Sequence, residues 1–263
     1  MTVALVMPVV LQQTQMLDLT LDAVAHLQSR HELALYIVCN GLHVCTDAEL
    51  AAKVRERFTG RVEIVNEPGV IRSVAGSWNE GARRAIEEEF TYIAAIANDV
   101  VLRPDALDRL VDFGDTGEAD LWSGISYNNR GHIEPSAVSD GADFSCFMFR
   151  PATLQTFGWF DTNFKPAYFE DNDYYARVVL GGGRCRVVHG AQFFHHGSMT
   201  IRVDPAAAHH VNHWFGLNRQ YFSRKWGVQT PGNSAEEVVA RYYRHPFNDP
   251  VRPISWFPEN GNS

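Results

Sequence analysis

The sequence predicts an α/β fold: one domain on a mixed, mostly parallel, Rossmann-like sheet with helices on both faces. Three observations carry this. Strand-like and helix-like runs alternate through the first 100 residues. The strand-like runs, such as LALYIV and YIAAIA, are apolar at every position instead of every second one. The chain has 263 residues, 45% of them hydrophobic and 21% charged, enough for one large core. Strands apolar on both faces belong to a sheet covered on both sides, and parallel neighbours need a crossover, usually a helix.

Residues 3–8 form the first predicted strand, ending at Pro8. Met16, Leu19, Leu21, Ala23, Val24 and Leu27 recur at helical spacing across 15–30. LALYIV, 33–38, is the second strand. Thr46 followed by Glu49 is a capping box that opens a helix running to about residue 58. RVEIV, 61–65, is the third strand, 73–89 a helix, and YIAAIA, 92–97, the fourth strand.

The second half is less regular. Strands are expected at 121–126, 144–150 and 184–189, and helices at 171–180 and 205–224. Gly181 to Gly183 end a helix and turn the chain into a strand. The expected organisation is one domain over 1–227, with a nucleotide-binding half (1–100) and an acceptor and catalytic half (101–227). An irregular extension rich in Pro, Asn and Gly follows at 228–263.

Composition excludes several classes. The 31 acids against 23 bases leave a formal charge of −8, which disfavours nucleic acid and anionic membrane surfaces as partners. No apolar run reaches the length of about 18 residues that spans a bilayer, so an integral membrane protein is not expected. MTVALVMPVV lacks the basic start of a signal peptide and reads as a buried strand. Cys39, Cys45, Cys146 and Cys185 form no C-x-x-C pair and suit reduced core thiols, hence a cytoplasmic setting. No G-x-G-x-x-G follows the first strand, GGGRC lacks the Lys-Ser/Thr of a phosphate loop, and there is no G-x-S-x-G elbow.

Ligands of open α/β sheets bind beyond the carboxyl ends of the strands. The polar residues there are Asn40 and Gly41, Asn66 and Glu67, and Asn98 and Asp99. Asn40-Gly41 serves equally well as a plain turn. Further on, FEDNDYYAR places Glu170, Asp171 and Asp173 within four positions, directly after PAYF. Asp171 also suits the N-cap of a helix over 172–180, where the helix dipole would lower its pKa. Asp173 and Arg177 are four apart, the spacing of a helical ion pair. His195 and His196 follow a short strand. His209, His210 and His213 share a helix without the H-E-x-x-H pattern, and Trp214, Tyr221 and Trp226 read as packing.

Several segments, in order over roughly 3–227, resemble family 2 glycosyltransferases of the GT-A fold. AIANDVVLRPDAL (95–107) resembles the family's metal-binding segment. FGWFDTNFKPAYFEDNDYYARVVLGGGRCRVV (157–188) resembles its G-x-F-D and E-D segment. FFHHGSMT (193–200) resembles its H-x-G-S-x-T, NRQYFSRKWG (218–227) its Y-x-x-K-W-G, and SVAGSWNEGARRA (73–85) its N-x-G helix. The resemblance implies that Asp99 and His195, with His196 one position away, hold Mn²⁺ or Mg²⁺. It implies Asp171 as catalytic base and Glu170 as an orienting carboxylate. Pro8, Asn40, Gly41, Glu67, Arg72, Asn79, Asn98 and Asp99 would line the nucleotide. Ala97 stands where the family usually carries the first acid of its metal motif, so the ion would be loosely held. Cys39-Asn40-Gly41 stands where an acidic pair is common, leaving Asn40 to meet a base edge.

The implied activity is inverting, metal-dependent transfer from a nucleoside-diphosphate sugar, a UDP-sugar foremost, to a hydroxyl of a glycan, protein or small molecule. A nucleotidyltransferase and a non-catalytic sugar- or nucleotide-binding protein are the alternatives. The acceptor loops would be 127–143 and the tail 228–263, and the alternative role of the tail is to join two subunits into a homo-oligomer.

Overall fold

The computed structural model describes residues 1–41, 43–128, 133–197, 199, 202, 205–228, 235 and 238–239. Its first half alternates as expected: β1 (Thr2–Val9), α1 (Thr14–Ala25), β2 (Glu32–Cys39), α2 (Asp47–Arg55), β3 (Arg61–Val65), α3 (Val74–Glu87), β4 (Tyr92–Ile96) and β5 (Val100–Leu102). The second half holds α4 (Ala106–Asp115), β6 (Leu121–Ser126), β7 (Val138–Asp140), β8 (Cys146–Phe149), α5 (Pro151–Phe157), α6 (Glu170–Leu180), β9 (Cys185–His195) and α7 (Pro205–Trp226). All nine strands among the described residues belong to one sheet, ordered β3-β2-β1-β4-β8-β6-β9-β5, with β7 paired to β9 outside that path. β3, β2, β1 and β4 are parallel; β8 enters antiparallel between β4 and β6.

Both faces of the central strands are buried, which is why β1, β2 and β4 are apolar almost throughout, while edge strand β3 and the short β7 are partly or wholly exposed. Val3, Leu5 and Met7 of β1 pack with α1, α2 and α4 through Leu21, Val54 and Leu110. Ala4 and Val6 point the other way, against α3, α5 and α6 through Trp78, Phe157 and Tyr174. α3 lies so close to β1 that a Cβ on Gly81 would sit 2.3 Å from a methyl of Val6. A third cluster, Phe164, Phe169, Phe222 and Trp226 among others, joins α6 to α7. The capping box of α2 is present: Thr46 Oγ1 accepts from Glu49 N, and the Glu49 carboxylate accepts from Thr46 N at 2.8 Å.

Several features depart from the sequence reading, among them the helices α4 and α5, which it did not include. β9 runs on to His195 instead of ending near 189, because it pairs with β6, β5 and β7 along its length. β5 and β7, three residues each, carry too little pattern to be seen without that partner. α1 ends at Ala25, short of the expected 30. No helix among the described residues is long and apolar enough to cross a membrane. Most of the expected extension, with its proposed subunit contact, lies outside the described residues, as do 129–132 of the acceptor loop.

Candidate active site

A cleft of about 820 Å³ opens beyond the carboxyl ends of β1, β2 and β4. Asn40, Arg72, Asn98, Asp99, Asp171 and His195 all line it.

Asp99 sits in the tight turn between β4 and β5, its carboxylate buried. β5 pairs with the end of β9, with Val100 opposite His195. That register brings His195 Nε2 to 3.2 Å from Asp99 Oδ1. The other ring nitrogen, Nδ1, lies 3.1 Å from Ser145 Oγ, and His195 N donates to Asn128 Oδ1 at 2.9 Å. The imidazole is thus held on both sides. Burial pushes the Asp99 carboxyl up, but the hydrogen bond and charge of His195 outweigh it and hold the pKa below the usual range. The same hydrogen bond raises His195, against the opposing effect of burial. His196 differs: only its backbone N–H reaches Asp99, at the carbonyl, while its ring stands edge-on to Phe194.

Asp171 enters from α6. The chain approaches through Tyr168 and Phe169, both left-handed at φ 79° and 76°, an unusual pair for bulky residues. Helix α6 then begins at Glu170, so Asp171 lies inside the first turn and is not the N-cap. Its Oδ1 accepts from Asn172 N at 2.8 Å. The expected fall in its pKa does not occur: burial raises it and outweighs the backbone N–H groups that pull it down. Glu170 is pushed up to about 8, by burial first and then by the Asp171 charge. Its Oε2 is buried with no hydrogen-bond partner. Burial thus raises both carboxyls of this adjacent pair, and the charge of Asp171 adds to the rise of Glu170.

The remaining expected residues divide. Asn40 lines the cleft with its carboxamide engaged: Oδ1 accepts from Arg72 N at 3.1 Å and Nδ2 donates to Ser77 Oγ at 2.8 Å. Arg72 pairs with Glu67 through Nη2 at 2.7 Å and keeps Nη1 buried without a partner. Asn98 Nδ2 donates to Thr20 Oγ1 at 2.9 Å. Pro8, Gly41, Glu67, Asn79 and His196 do not line the cleft. Pro8 lies within β1, and Gly41, at φ 83°, makes the turn after β2. Asn79 closes onto the backbone of Phe160, Nδ2 to the carbonyl at 2.8 Å and Oδ1 from the N–H at 3.0 Å. It is a brace between α3 and the 158–161 turn, which uses both ends of its carboxamide.

Other cleft residues were not singled out individually, though Ser139 and Asp143 fall in the segment expected as an acceptor loop. Asp143, Ser145, Ser139 and His189 line it from around β7, β8 and β9, with Ser139 Oγ 2.9 Å from His189 Nε2. They come from short, non-consecutive segments without a motif. Among the described residues no three His, Cys, Asp or Glu side chains gather as a complete metal site. Asp99 and His195 supply two donors of suitable chemistry, one carboxylate and one imidazole oriented by Ser145. A divalent cation fits there only with oxygens from another molecule and water completing its shell.

No protein-family model matches the chain, and no curated protein matches it in sequence. Solved structures do. S. aureus TarS aligns with a TM-score of 0.57 at 13% identity, over 94% of this chain and 44% of the TarS chain. This chain thus spans less than half of that TarS structure. TarS 1–349 in complex with UDP-GlcNAc aligns at 0.59 and 12% identity, over 92% of this chain and 72% of the other. TarS 1–349 with UDP gives 0.57 and 14% over 93% and 72%. At such identity the likeness carries the architecture, and the mixed, mostly parallel sheet with its flanking helices is the GT-A fold of TarS.

Proposed function

We propose that this protein is a metal-dependent, inverting glycosyltransferase that moves a sugar from a nucleoside-diphosphate sugar, foremost a UDP-sugar, to an acceptor hydroxyl. One observation carries the reading: the Asp99–His195 pair and Asp171, from separate elements, line a single cleft at the carboxyl ends of the parallel strands. TarS, similar in fold, has been seen with UDP-GlcNAc and with UDP.

The chemistry follows from the residues. An acceptor hydroxyl must lose its proton as it attacks the anomeric carbon. Asp171 takes that proton; burial raises its pKa, which makes it a better base than an exposed carboxylate. Glu170 lines the cleft with its buried Oε2 unpartnered, so it can form a hydrogen bond with a sugar hydroxyl. The departing diphosphate gains charge. Arg72 Nη1 offers it an unused donor. Asp99 and His195 would hold a Mn²⁺ or Mg²⁺ ion, which when bound supplies further stabilisation of that charge. Asn40 and Asn98 line the donor side. Trp78, Tyr168 and Tyr175 give the cleft aromatic surface for an acceptor such as a glycan, a protein or a small molecule.

The test is incubation with Mn²⁺ and a panel of nucleoside-diphosphate sugars. Slow release of nucleoside diphosphate is expected. Release of pyrophosphate would instead indicate a nucleotidyltransferase, and binding without either product a non-catalytic protein.

A further inference from the structure

Helix α7 lines the cleft at Val211 and further along holds the segments that carry Asp171 through a set of polar contacts. Asn218 is buried, and its one carboxamide makes four contacts to the segment that leads into α6. Oδ1 accepts from Lys165 N at 3.1 Å; Nδ2 faces the carbonyls of Lys165, Ala167 and Tyr168 at 3.0, 2.8 and 3.2 Å. The last of these belongs to the first left-handed residue of the approach. A backbone in that region persists only when its surroundings over-determine it. On the far side the same segment is held by Val74 N of α3, which donates to Pro166 O at 2.8 Å.

One to two turns further along α7, the contacts move past Asp171 to Asp173. Lys225 Nζ stands 2.8 Å from Asp173 Oδ1 and 2.5 Å from Asp161 Oδ2. Trp226 Nε1 donates to Asp173 Oδ1 at 2.9 Å, and Arg177 Nε to Asp173 Oδ2 at 2.9 Å. Tyr221 OH donates to Asp161 Oδ2 at 2.8 Å. Two carboxylates and two cations are thus enclosed together. Apolar packing alone would hold α7 against α6; a buried ionic cluster adds direction, fixing the rotation of both helices at a desolvation cost.

We infer that α7 is a positioning clamp for Asp171: Asn218 holds the strained approach on one side of it, and Lys225 with Trp226 holds Asp173 on the other. None of these groups touches the reacting atoms, so their role is positioning. The inference rests on Asp171 being the base. A carboxylate displaced by about 1 Å loses orders of magnitude in rate while ground-state binding, made elsewhere in the cleft, is spared.

Asn218→Ser tests it. Amide hydrogen exchange at 168–173 should accelerate at least tenfold, with β1 and β4 unchanged. With the donor found above, kcat should fall at least tenfold while the donor KM stays within twofold. Trp226→Phe, which keeps an aromatic side chain but loses the indole N–H to Asp173 together with part of the ring, should shift both readouts in the same direction by about threefold, and it serves if the serine variant does not fold. Exchange at 168–173 that follows the rest of the sheet, or a kcat untouched in both variants, overturns the clamp. If wild-type protein turns over no donor, the glycosyltransferase reading fails, while the exchange measurement still decides whether α7 orders this segment.

Discussion

His195 and Asp99 lie ninety-six positions apart and meet at 3.2 Å because β5 and β9 pair antiparallel directly beside the β4 turn. Each partner shifts the other. Raised His195 contributes stability below its ordinary pKa of 6.5, lost as pH rises through the higher folded value. Lowered Asp99 contributes above its ordinary 3.8, lost as pH falls through the lower folded value. The pair is therefore strongest between those two ordinary values. Without metal, His195→Gln should lower stability by about 1–2 kcal/mol near pH 5.5 and by clearly less at pH 8.5. Urea unfolding of both proteins at the two pH values checks this; an equal loss at both would remove the charged pair from the account.

Asp171→Asn keeps shape and removes the base. Transfer should drop by about 10²–10⁴-fold, with nucleoside-diphosphate affinity nearly unchanged. Diphosphate release and calorimetry measure the two separately. Wild-type turnover in this variant would assign the base elsewhere.

Asp99→Ala should act on binding instead. The Mn²⁺-dependent part of nucleotide affinity should fall by about tenfold or more, while binding in chelator stays as in the wild type. Titrations with and without Mn²⁺ give the comparison.

Lys225→Met leaves Asp161 and Asp173 buried with one cation fewer. A loss of about 3–5 kcal/mol is expected, measured by chemical denaturation. Asp161 shows how strong the dependence is: burial pushes its carboxyl up, yet Lys225 keeps it below the usual range.

Gly81→Ala places a methyl against Val6 where α3 meets β1. Overpacking of that kind costs about 1–3 kcal/mol. A melting temperature equal to the wild type would show that α3 can move off the sheet.

The placement of several candidate residues in one cleft was legible because they follow strands. Asp99 and Asn98 end a run apolar on both faces, and Asp171 follows an aromatic turn. The choice between His195 and His196 was not legible, since a strand alternates its side chains between faces and only the pairing with β5 decides which one points at Asp99. Asn79 looked like a ligand-binding residue, but a backbone eighty-one positions away takes both ends of its carboxamide. Tyr221 and Trp226 read as packing; the structure adds hydrogen bonds to buried carboxylates, which no spacing on α7 alone could reveal.

By itself the sequence determined the sheet with helices on both faces, since apolar periodicity and caps are local and act over a few residues. Tertiary structure alone decided the upward pKa shifts of Glu170 and Asp171, the orientation of His195 and the hold of α7 on α6. Those depend on burial and on charges brought close by distant segments, and neither desolvation nor a Coulomb interaction is a property of neighbouring letters.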